Sequence, residues 1–498
     1  MPPHNLAARD CNFSSLASII NLGICTRGAN LHIKLIFLGA ACNVTGSSYV
    51  LETSNVRLLV DCGLYQEREL RSRNWDPFPI PPHTLDAVLL THAHIDHCGL
   101  LPKLVREGFR GRVYCTEATS EIAQIILLDS AHLQEEDAEF KRKRHEREKR
   151  RGPFPEIPLY TVDDAKASFP LFEPVRYGET VQIGDGVEAT FHDAGHVLGS
   201  SMIRVSLSEG AEQRTIVFSG DVGRWDKPIL PDPSVFNDVD YILVESTYGD
   251  RLHDDPPDIT DSLAAIVNST WKAGGNIIVP SFALQRSQEI IYRLNQLLSE
   301  DRIPHLMVFL DSPMAVSITR VFRRHPELFD QKTLQLMRQG RSPFEFPGLK
   351  MIETIDESKA IDHISGTVMV IAGSGMCTGG RVKHHLVTNI TRPESTILFV
   401  GYQAIGTLGR QIVDGAKEVR ILGQYYPVRA RIAQLHGLSS HADKNELFRW
   451  LSALKRTPRR VFVVHGEPEA TKQFSEFLRE KTGWDISVPE YGAESILE

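Results

Sequence analysis

Residues 91–99 read THAHIDHCG and directly follow the apolar run LDAVLL at 85–90. The stretch places four side chains with metal-binding atoms within six residues, namely His92, His94, Asp96 and His97. Imidazole nitrogens and carboxylate oxygens are suitable ligands for zinc. The four side chains cannot all face one side of a strand, but a tight loop at the end of a buried strand can present them from two sides. We therefore expect a metal site here rather than a chance cluster of polar residues.

The chain around this stretch reads as one domain with a second domain inserted into it. From residue 33, short apolar and β-branched runs are separated by turns, which predicts a sheet-dominated α/β unit with one long polar helix at about 117–151. From about residue 249, apolar strands alternate with amphipathic helices, which favours buried parallel strands. After Ala430 the earlier style returns. A chain of 498 residues is also too long for a single hydrophobic core.

The composition is that of an ordinary globular protein, with 42% hydrophobic and 24% charged residues. No run of eighteen apolar residues occurs, so the sequence predicts no membrane span. The first thirty residues lack a basic segment and a small-residue cleavage site, and we interpret them as a poorly ordered extension rather than a secretion signal. The net charge is 55 basic minus 63 acidic residues, or −8. That balance does not indicate a general nucleic-acid binder, although a local basic groove could still bind a nucleic acid.

The seven cysteines are scattered along the chain and form no CxxC pair. This spacing argues against a disulfide framework and against a zinc ribbon, and it favours a reducing cytoplasm. Cys98 adjoins the ligand stretch, and we expect it to be a small packing residue rather than a ligand.

The HxHxDH pattern resembles the signature of the metallo-β-lactamase superfamily, and further pieces of that family's pattern follow in order. Asp61 in LLVDCG resembles the buried aspartate that orients the histidine loop. His196 in HDAGHVLGS resembles the third histidine of the first metal site, and Asp221 in FSGDVG resembles the aspartate that bridges the metals. The resemblance implies two Zn²⁺ per chain. The implied ligands are, for the first and then the second ion, His92, His94 and His196, and Asp96, His97 and the shared Asp221.

Three later motifs resemble those of the β-CASP nucleases, a group within this superfamily. Glu245 in VESTYGD resembles motif A, His441 in LSSHAD resembles motif B, and His465 in VVHGE resembles motif C. The stretches VPSFALQRSQE, LDSPMA and IAGSGMCTGGR are also typical of the group. By this resemblance, His465 completes the ligands of the second ion.

The resemblance implies an α/β fold, a metallo-β-lactamase αββα sandwich with an inserted α/β β-CASP domain. The implied division is an N-terminal extension at 1–32, a first metallo-β-lactamase part at 33–248, the β-CASP domain at 249–437 and a C-terminal metallo-β-lactamase part at 438–498.

Motif C bears on the substrate. Members that act on RNA usually have histidine there, whereas the DNA-cutting members usually have valine, so His465 favours RNA. The sequence resembles the compact bacterial RNA-degrading members and the nuclease subunit of the pre-mRNA 3′-end cleavage machinery. The alternatives are a DNA nuclease of the same fold, a catalytically inactive scaffold subunit and a small-molecule hydrolase. The scaffold is disfavoured because every ligand position is filled, and the small-molecule hydrolase because it would leave a large insert without purpose.

The implied activity is hydrolysis of phosphodiester bonds in single-stranded RNA by a two-metal endonuclease that leaves a 5′-phosphate and a 3′-hydroxyl. The expected catalytic residues are Asp96, Glu245 and His441. In this scheme His441 protonates the leaving oxygen, and Glu245 holds His441 and keeps it protonated. Members of the group often dimerise, so a homodimer is a further expectation, in the cytoplasm and without a membrane.

Candidate phosphate contacts lie at the strand ends of the insert, at Ser281, Arg286, Ser374, Gly375 and Arg381. Glycine-rich loops allow close backbone approach and can form anion-binding concavities. The alternative is that these glycines simply form a turn after a buried strand.

Two further features are interpreted as structural. The run KRKRHEREKRR at 141–151 follows the acidic stretch LQEEDAEF, and we expect a solvated helix face with intrahelical ion pairs. His384 and His385 are expected to lie on a helix surface.

Overall fold

The computed structural model describes residues 32–149, 152, 154–253 and 258–498. The extension predicted at 1–32 falls, except for its last residue, on residues 1–31, which lie outside the described residues. Across the described ranges the predicted fold class is confirmed. Two β-sheets pack face to face with helices on both outer sides, and a third, parallel sheet belongs to an inserted α/β unit.

The first half of the chain supplies most of the two packed sheets. The first sheet takes β1 (Ile33–Gly39), β2 (Ser48–Glu52), β3 (Arg57–Val60), β4 (Ala87–Leu89), β5 (Arg112–Thr116) and β6 (Phe172–Val175). The second sheet takes β7 (Thr180–Gly184), β8 (Val187–Asp193), β9 (Ser201–Glu209), β10 (Glu212–Phe218) and β11 (Tyr241–Glu245).

The helices of this half cover the outer face of the first sheet. They are α1 (Ile95–Cys98), α2 (Leu101–Arg106), α3 (Glu117–Glu148) and α4 (Val162–Ser168). Helix α3 contains most of the basic run, and its side chains form the predicted intrahelical pairs, Lys141 with Asp137 at 2.5 Å and Lys143 with Glu139 at 2.6 Å. The structural interpretation of this part of the run is confirmed.

The inserted unit is a parallel sheet with helices on both faces. Its strands are β12 (Ile277–Pro280), β13 (Met307–Asp311), β14 (Leu349–Met351), β15 (Val368–Ala372), β16 (Thr396–Phe399) and β19 (Arg431–Gln434), with a hairpin of β17 (Glu418–Ile421) and β18 (Gln424–Pro427) beside them. Its helices are α5 (Ile259–Ala273), α6 (Arg286–Ser299), α7 (Pro313–Arg324), α8 (Gln331–Arg338), α9 (Ile355–Ala360), α10 (Val382–Asn389) and α11 (Leu408–Val413). The sheet order is β14-β13-β15-β12-β16-β19. The central strands are buried along their whole length, which explains their uninterrupted apolar sequences.

The last part of the chain returns to the two packed sheets. It forms α12 (Lys444–Leu451), β20 (Arg460–Val464), α13 (Pro468–Thr482), β21 (Ile486–Ser487) and β22 (Glu494–Leu497). Strand β20 pairs in parallel with β11, and β22 pairs antiparallel with β1. Five short 3₁₀ turns complete the described elements, at Arg71–Asn74, Pro82–Thr84, Phe169–Leu171, Pro326–Leu328 and Ile361–His363.

The core between the two sheets follows from the two-residue period of a strand. Ile33, Leu35 and Phe37 of β1 all point to this core, and the ring of Phe37 lies 5.2 Å from that of Phe462 on the facing sheet. The outer face of each sheet, which points away from this core, is covered by helices. Among the described helices, none combines the length and the apolar character needed to cross a bilayer.

Candidate metal centre

The histidine loop begins where β4 ends, and Asp61 holds it in place. Asp61 is buried and accepts hydrogen bonds from the backbone N–H of Thr91 at 2.8 Å and from the Thr91 hydroxyl. Its Oδ2 also lies 2.7 Å from Nδ1 of His97. With Nδ1 bonded to Asp61, the other ring nitrogen of His97 is directed into the site, as the sequence predicted for an orienting aspartate.

One group of ligand atoms comes from three segments of the chain. His92, His94, His196 and Asp221 present nitrogen and oxygen atoms that all lie within 4.8 Å of one another. Nδ1 of His94 is 3.0 Å from Nε2 of His92 and 3.3 Å from Nε2 of His196. Oδ2 of Asp221 is 3.4 Å from Nε2 of both His92 and His196.

A second group lies on the other side of Asp221. Asp96, His97 and His465 again present atoms within 4.8 Å of one another. Nε2 of His97 and Nε2 of His465 are 3.1 Å apart, and they lie 3.3 and 3.6 Å from Oδ1 of Asp221. The structure thus brings together all seven residues that the sequence predicted as ligands, in the two predicted groups.

Strand ends and tight turns position these side chains. Asp221 follows β10, His465 follows β20, and His196 lies in the turn between β8 and β9. Gly223 allows two of these loops to touch, because a side chain there would place its Cβ 2.1 Å from the carbonyl of Gly195. The Asp221 loop therefore packs directly on the His196 loop.

Burial sets the protonation of the first group. Burial lowers the pKa of His92 to about 4 and that of His94 to about 3, and it holds the pKa of His196 well below its usual value. These imidazoles are therefore neutral at pH 7, which is the form that binds metals. For Asp221, burial opposes the charge, but the surrounding histidines hold its pKa well below the usual range.

His441 and Glu245 form a pair beside the two groups. Nδ1 of His441 lies 3.1 Å from Oε1 of the fully buried Glu245, and Nε2 lies 3.8 Å from Oδ2 of Asp221. Burial opposes a charge on His441, but the carboxylates of Glu245 and Asp221 outweigh it and raise the pKa of His441 to about 9. One carboxylate oxygen of Glu245, one carboxylate oxygen of Asp221 and one ring nitrogen of His465 also lie within 4.8 Å of one another. Its oxygens already accept backbone N–H groups from Val222 at 2.8 Å and Thr247 at 3.2 Å.

Sequence reasoning missed His253, which supports the His441 loop. Nε2 of His253 lies 2.9 Å from the backbone carbonyl oxygen of His441, and the backbone N–H of His253 donates to Oδ2 of Asp443 at 3.1 Å. The ring of Tyr248 packs between, 4.5 Å from the ring of His253 and 6.2 Å from that of His441. The only signal in the sequence was a histidine eight residues after Glu245, and local spacing cannot show that it reaches residue 441.

The predicted RNA contacts occupy different environments. Ser281 and Arg286 are buried; Ser281 accepts from the hydroxyl of Ser287, and Nη1 of Arg286 donates to the carbonyl of Val400 at 2.8 Å. In the loop after β15, Ser374 is partly exposed and Gly375 is buried. The Ser374 hydroxyl accepts the backbone N–H groups of residues 378 and 379. A direct phosphate contact stays a prediction for all four and for Arg381.

Arg381 belongs to a cluster that the sequence did not reveal. Nη1 of Arg381 donates to Oδ1 of Asp311 at 2.7 Å, and the other oxygen of Asp311 lies 2.6 Å from Nε2 of His385. His385 and Asp311 are both buried, so the prediction of a surface position is wrong for His385, while His384 is exposed. The guanidinium of Arg381 thus stabilises a buried carboxylate inside the insert. Cys98 is fully buried, and its thiol donates to the carbonyl of Ala93, in keeping with a packing role.

Comparison with known proteins agrees with this geometry. Three family models match the chain: a metallo-β-lactamase superfamily domain at 50–232, a Beta-Casp domain at 287–412 and a Zn-dependent metallo-hydrolase RNA specificity domain at 425–489. Ribonuclease TTHA0252 of Thermus thermophilus is 37% identical over 460 residues, which are 92% of this chain and 99% of that protein. The chain belongs to the β-CASP group of the metallo-β-lactamase superfamily.

Other β-CASP relatives and one solved structure extend the comparison. The transcription termination factor FttA of Methanocaldococcus jannaschii is 30% identical over 471 residues, 92% of this chain and 71% of that protein. A crystal structure of a protein of unknown function from Enterococcus faecalis superposes with a TM-score of 0.53 at 12% identity, covering 94% of this chain and all of the other. The fold extends over nearly the whole chain, and membership of the group confirms a metal-dependent hydrolase.

Proposed function

We propose that this β-CASP protein is a zinc-dependent ribonuclease that cleaves single-stranded RNA internally and leaves a 5′-phosphate and a 3′-hydroxyl. The observation that carries the proposal is the position of Asp221. One of its oxygens faces His92 and His196, and the other faces His97 and His465. A carboxylate shared between two ligand groups suits a pair of metal ions that act together on one phosphate.

The donor set fits zinc. Each group combines imidazole nitrogens with carboxylate oxygen, the ligands that zinc takes in hydrolases. Oδ1 of Asp221 is buried and, among the described residues, has no hydrogen-bond partner, although two imidazole nitrogens lie within 3.6 Å. A buried carboxylate oxygen facing two imidazole nitrogens without a hydrogen bond is better satisfied by a cation. Two bound zinc ions would lower the pKa of an attacking water and neutralise charge on the phosphate.

The chain's own residues supply the proton transfers. The departing 3′-oxygen is a poor leaving group, and Nε2 of His441 is the proton source on the side of the site that the insert adjoins. Glu245 holds Nδ1 of the same ring, so the imidazolium is favoured and Nε2 points towards Asp221. Asp96 is the remaining carboxylate beside His465, with Oδ2 3.7 Å from Nε2 of that residue. We assign to Asp96 the role of accepting the proton of the attacking water.

RNA is the proposed substrate for three reasons. A relative that aligns along almost its entire length is named a ribonuclease. The model that matches residues 425–489 is described as an RNA specificity domain. His465, the motif C residue typical of RNA-cleaving members, sits among the ligand atoms. A DNA nuclease of the same fold is the competing function, and His465 argues against it.

A catalytically inactive scaffold subunit is the second alternative function. The scaffold alternative is disfavoured because all seven ligand positions and both members of the His441–Glu245 pair are present and assembled.

We also propose a homodimer in a reducing cytoplasm. Four buried cysteines are free thiols, Cys62, Cys98, Cys115 and Cys377, which suits a reducing compartment.

One experiment tests the proposed function directly. Purified protein is incubated with 5′- and 3′-labelled single-stranded RNA, with the matching DNA and with a perfect RNA duplex, with and without a chelator. We expect internal cuts in the single-stranded RNA, products with a 5′-phosphate, and loss of cleavage that added zinc reverses. Equal cleavage of DNA would favour the competing function, and products with a 2′,3′-cyclic phosphate would exclude water as the nucleophile.

A further inference from the structure

Three loops of the insert meet at the ring of Phe282. They follow the carboxyl ends of β12, β15 and β16, and Phe282 itself lies two residues after β12. A Cβ on Gly375 would lie 2.8 Å from the ring, and a Cβ on Gly401 would lie 3.5 Å from it. The ring therefore rests directly on the backbone of Gly375, where a side chain would clash with it, and Gly401 lies at ordinary contact distance beside it.

Hydrogen bonds fix the two glycine loops that support the ring. The side chain of the buried Gln403 donates to the carbonyls of Gly375 at 3.0 Å and Gly401 at 3.1 Å. Arg286 donates to the carbonyl of Val400 at 2.8 Å. These hydrogen bonds fix the loops after β15 and β16 that support the ring, yet Phe282 is 41% exposed. One side of the ring is therefore held by the loops, while the ring stays accessible to a ligand from solvent.

The ring lies at the edge of the insert that adjoins the catalytic histidine. Beside it, β16 and β19 end together, with the N–H of Leu435 bonded to the carbonyl of Phe399 at 2.8 Å. From Leu435 the chain runs only six residues to His441.

We propose that Phe282 is a stacking platform for a base of the bound RNA strand. The proposal rests on the proposed function and adds a binding residue to it. A base stacks on an aromatic ring whatever its sequence, and a pre-positioned ring loses little conformational freedom when the strand binds. Tyr402, which follows Gly401 and is 53% exposed, offers a second aromatic side chain on the same loop. The platform would therefore favour single strands, whose bases are free to stack, over duplexes.

The test compares two substrates in a small set of variants. The substrates are a short single-stranded RNA and bis(p-nitrophenyl) phosphate, which carries no base. The variants are Phe282→Ala, Phe282→Leu, which keeps apolar bulk without an aromatic face, and Phe282→Trp, which keeps the face. Tyr425→Ala is the matched control, because Tyr425 is an aromatic residue on the β17–β18 hairpin with 66% exposure.

We expect Phe282→Ala to raise KM for RNA, relative to its effect on the small diester, by about 5- to 150-fold, the equivalent of the roughly 1–3 kcal/mol that one stacked base contributes. Phe282→Leu should show most of this increase, Phe282→Trp should keep the wild-type ratio of the two KM values, and Tyr425→Ala should not change that ratio. RNA with a single abasic site at the stacked position should weaken wild-type binding and leave Phe282→Ala unaffected.

The outcomes separate this proposal from the proposed function. If wild-type protein hydrolyses the small diester but no RNA, the proposed function fails. If wild-type protein cleaves RNA, and Phe282→Ala and Phe282→Leu keep the wild-type ratio of KM values, the stacking platform is overturned while the ribonuclease assignment stands.

Discussion

His441 and Glu245 are joined through Nδ1 of the imidazole, which lies 3.1 and 3.2 Å from the two oxygens of the buried carboxylate. His465 has a different environment, with Nε2 near Asp96 and Asp221 and Nδ1 3.1 Å from the hydroxyl of Thr247. Both histidines lie at the same site, but the carboxylate partner of His441 is at Nδ1, whereas the carboxylates near His465 are at Nε2, among the candidate ligand atoms. Replacing His441 and replacing His465 should therefore have different effects on metal binding and on the rate of cleavage.

Replacing His441 by alanine should leave metal binding intact and slow the chemical step. We expect kcat on RNA to fall by about 10²–10⁴-fold, the usual contribution of a general acid. The loss should be much smaller for bis(p-nitrophenyl) phosphate, because its nitrophenolate leaves without a proton. Zinc content and both rates are measured on the same preparation. An equal loss on both substrates would show that His441 does not act as the acid.

His253 should act through His441, because its Nε2 contacts the carbonyl of that residue. One hydrogen bond contributes about 0.5–1.5 kcal/mol, so His253→Ala should lower kcat on RNA by about 2- to 13-fold. His253→Gln, which keeps a donor, should recover part of the loss. In a protein that already carries His441→Ala, His253→Ala should not lower kcat on RNA any further. A full additional loss in that background would assign His253 a structural role independent of the acid.

Asp311 should make the insert's stability depend on pH. Burial opposes its charge, but hydrogen bonds from His385, Ser358 and Arg381 prevail and lower its pKa. A carboxyl group with a lowered pKa stabilises the fold fully above its unfolded pKa of about 4, and this contribution disappears as the pH falls through the folded pKa. We expect Asp311→Asn to reduce the free energy of unfolding by on the order of 3 kcal/mol at pH 7.

Urea unfolding at several pH values measures this difference. It should shrink as the pH is lowered from 7 towards 3. Asp414→Asn is the control, since Asp414 forms an exposed pair with Arg410 that should contribute at most about 1 kcal/mol. A deficit for Asp311→Asn that stays constant with pH would mean that the charge of Asp311 is not what stabilises the cluster.

The clustering of the candidate ligands could be predicted because their motifs form an ordered set along the chain, although His196, Asp221 or Asp61 alone would not be specific. His465 directly follows β20 and Asp221 lies three residues after β10, and the parallel pairing of β10, β11 and β20 brings the ends of these strands to one edge. The order of such motifs along the chain is readable in the sequence, and so is the sandwich, whose strands alternate between two faces.

The remaining features depend on contacts between distant segments. Arg381 looks like a free cation after a glycine-rich turn, but 70 residues separate it from the carboxylate that it pairs with, Asp311. His385 reads as a surface residue for the same reason. The contact of His253 with residue 441 spans 188 positions. No local periodicity reports such pairings, because they arise only when segments far apart in the sequence come together in the folded chain.

Zinc content per chain in active protein tests the central claim most directly, and His465→Ala supplies the comparison. Elemental analysis of freshly purified wild-type protein should give two zinc ions per chain, with cleavage of single-stranded RNA in the same fractions. His465→Ala should retain about one tightly bound ion and regain part of its activity in excess zinc. Active wild-type protein without a transition metal, or a His465→Ala variant that keeps two tight zinc ions, would contradict the account.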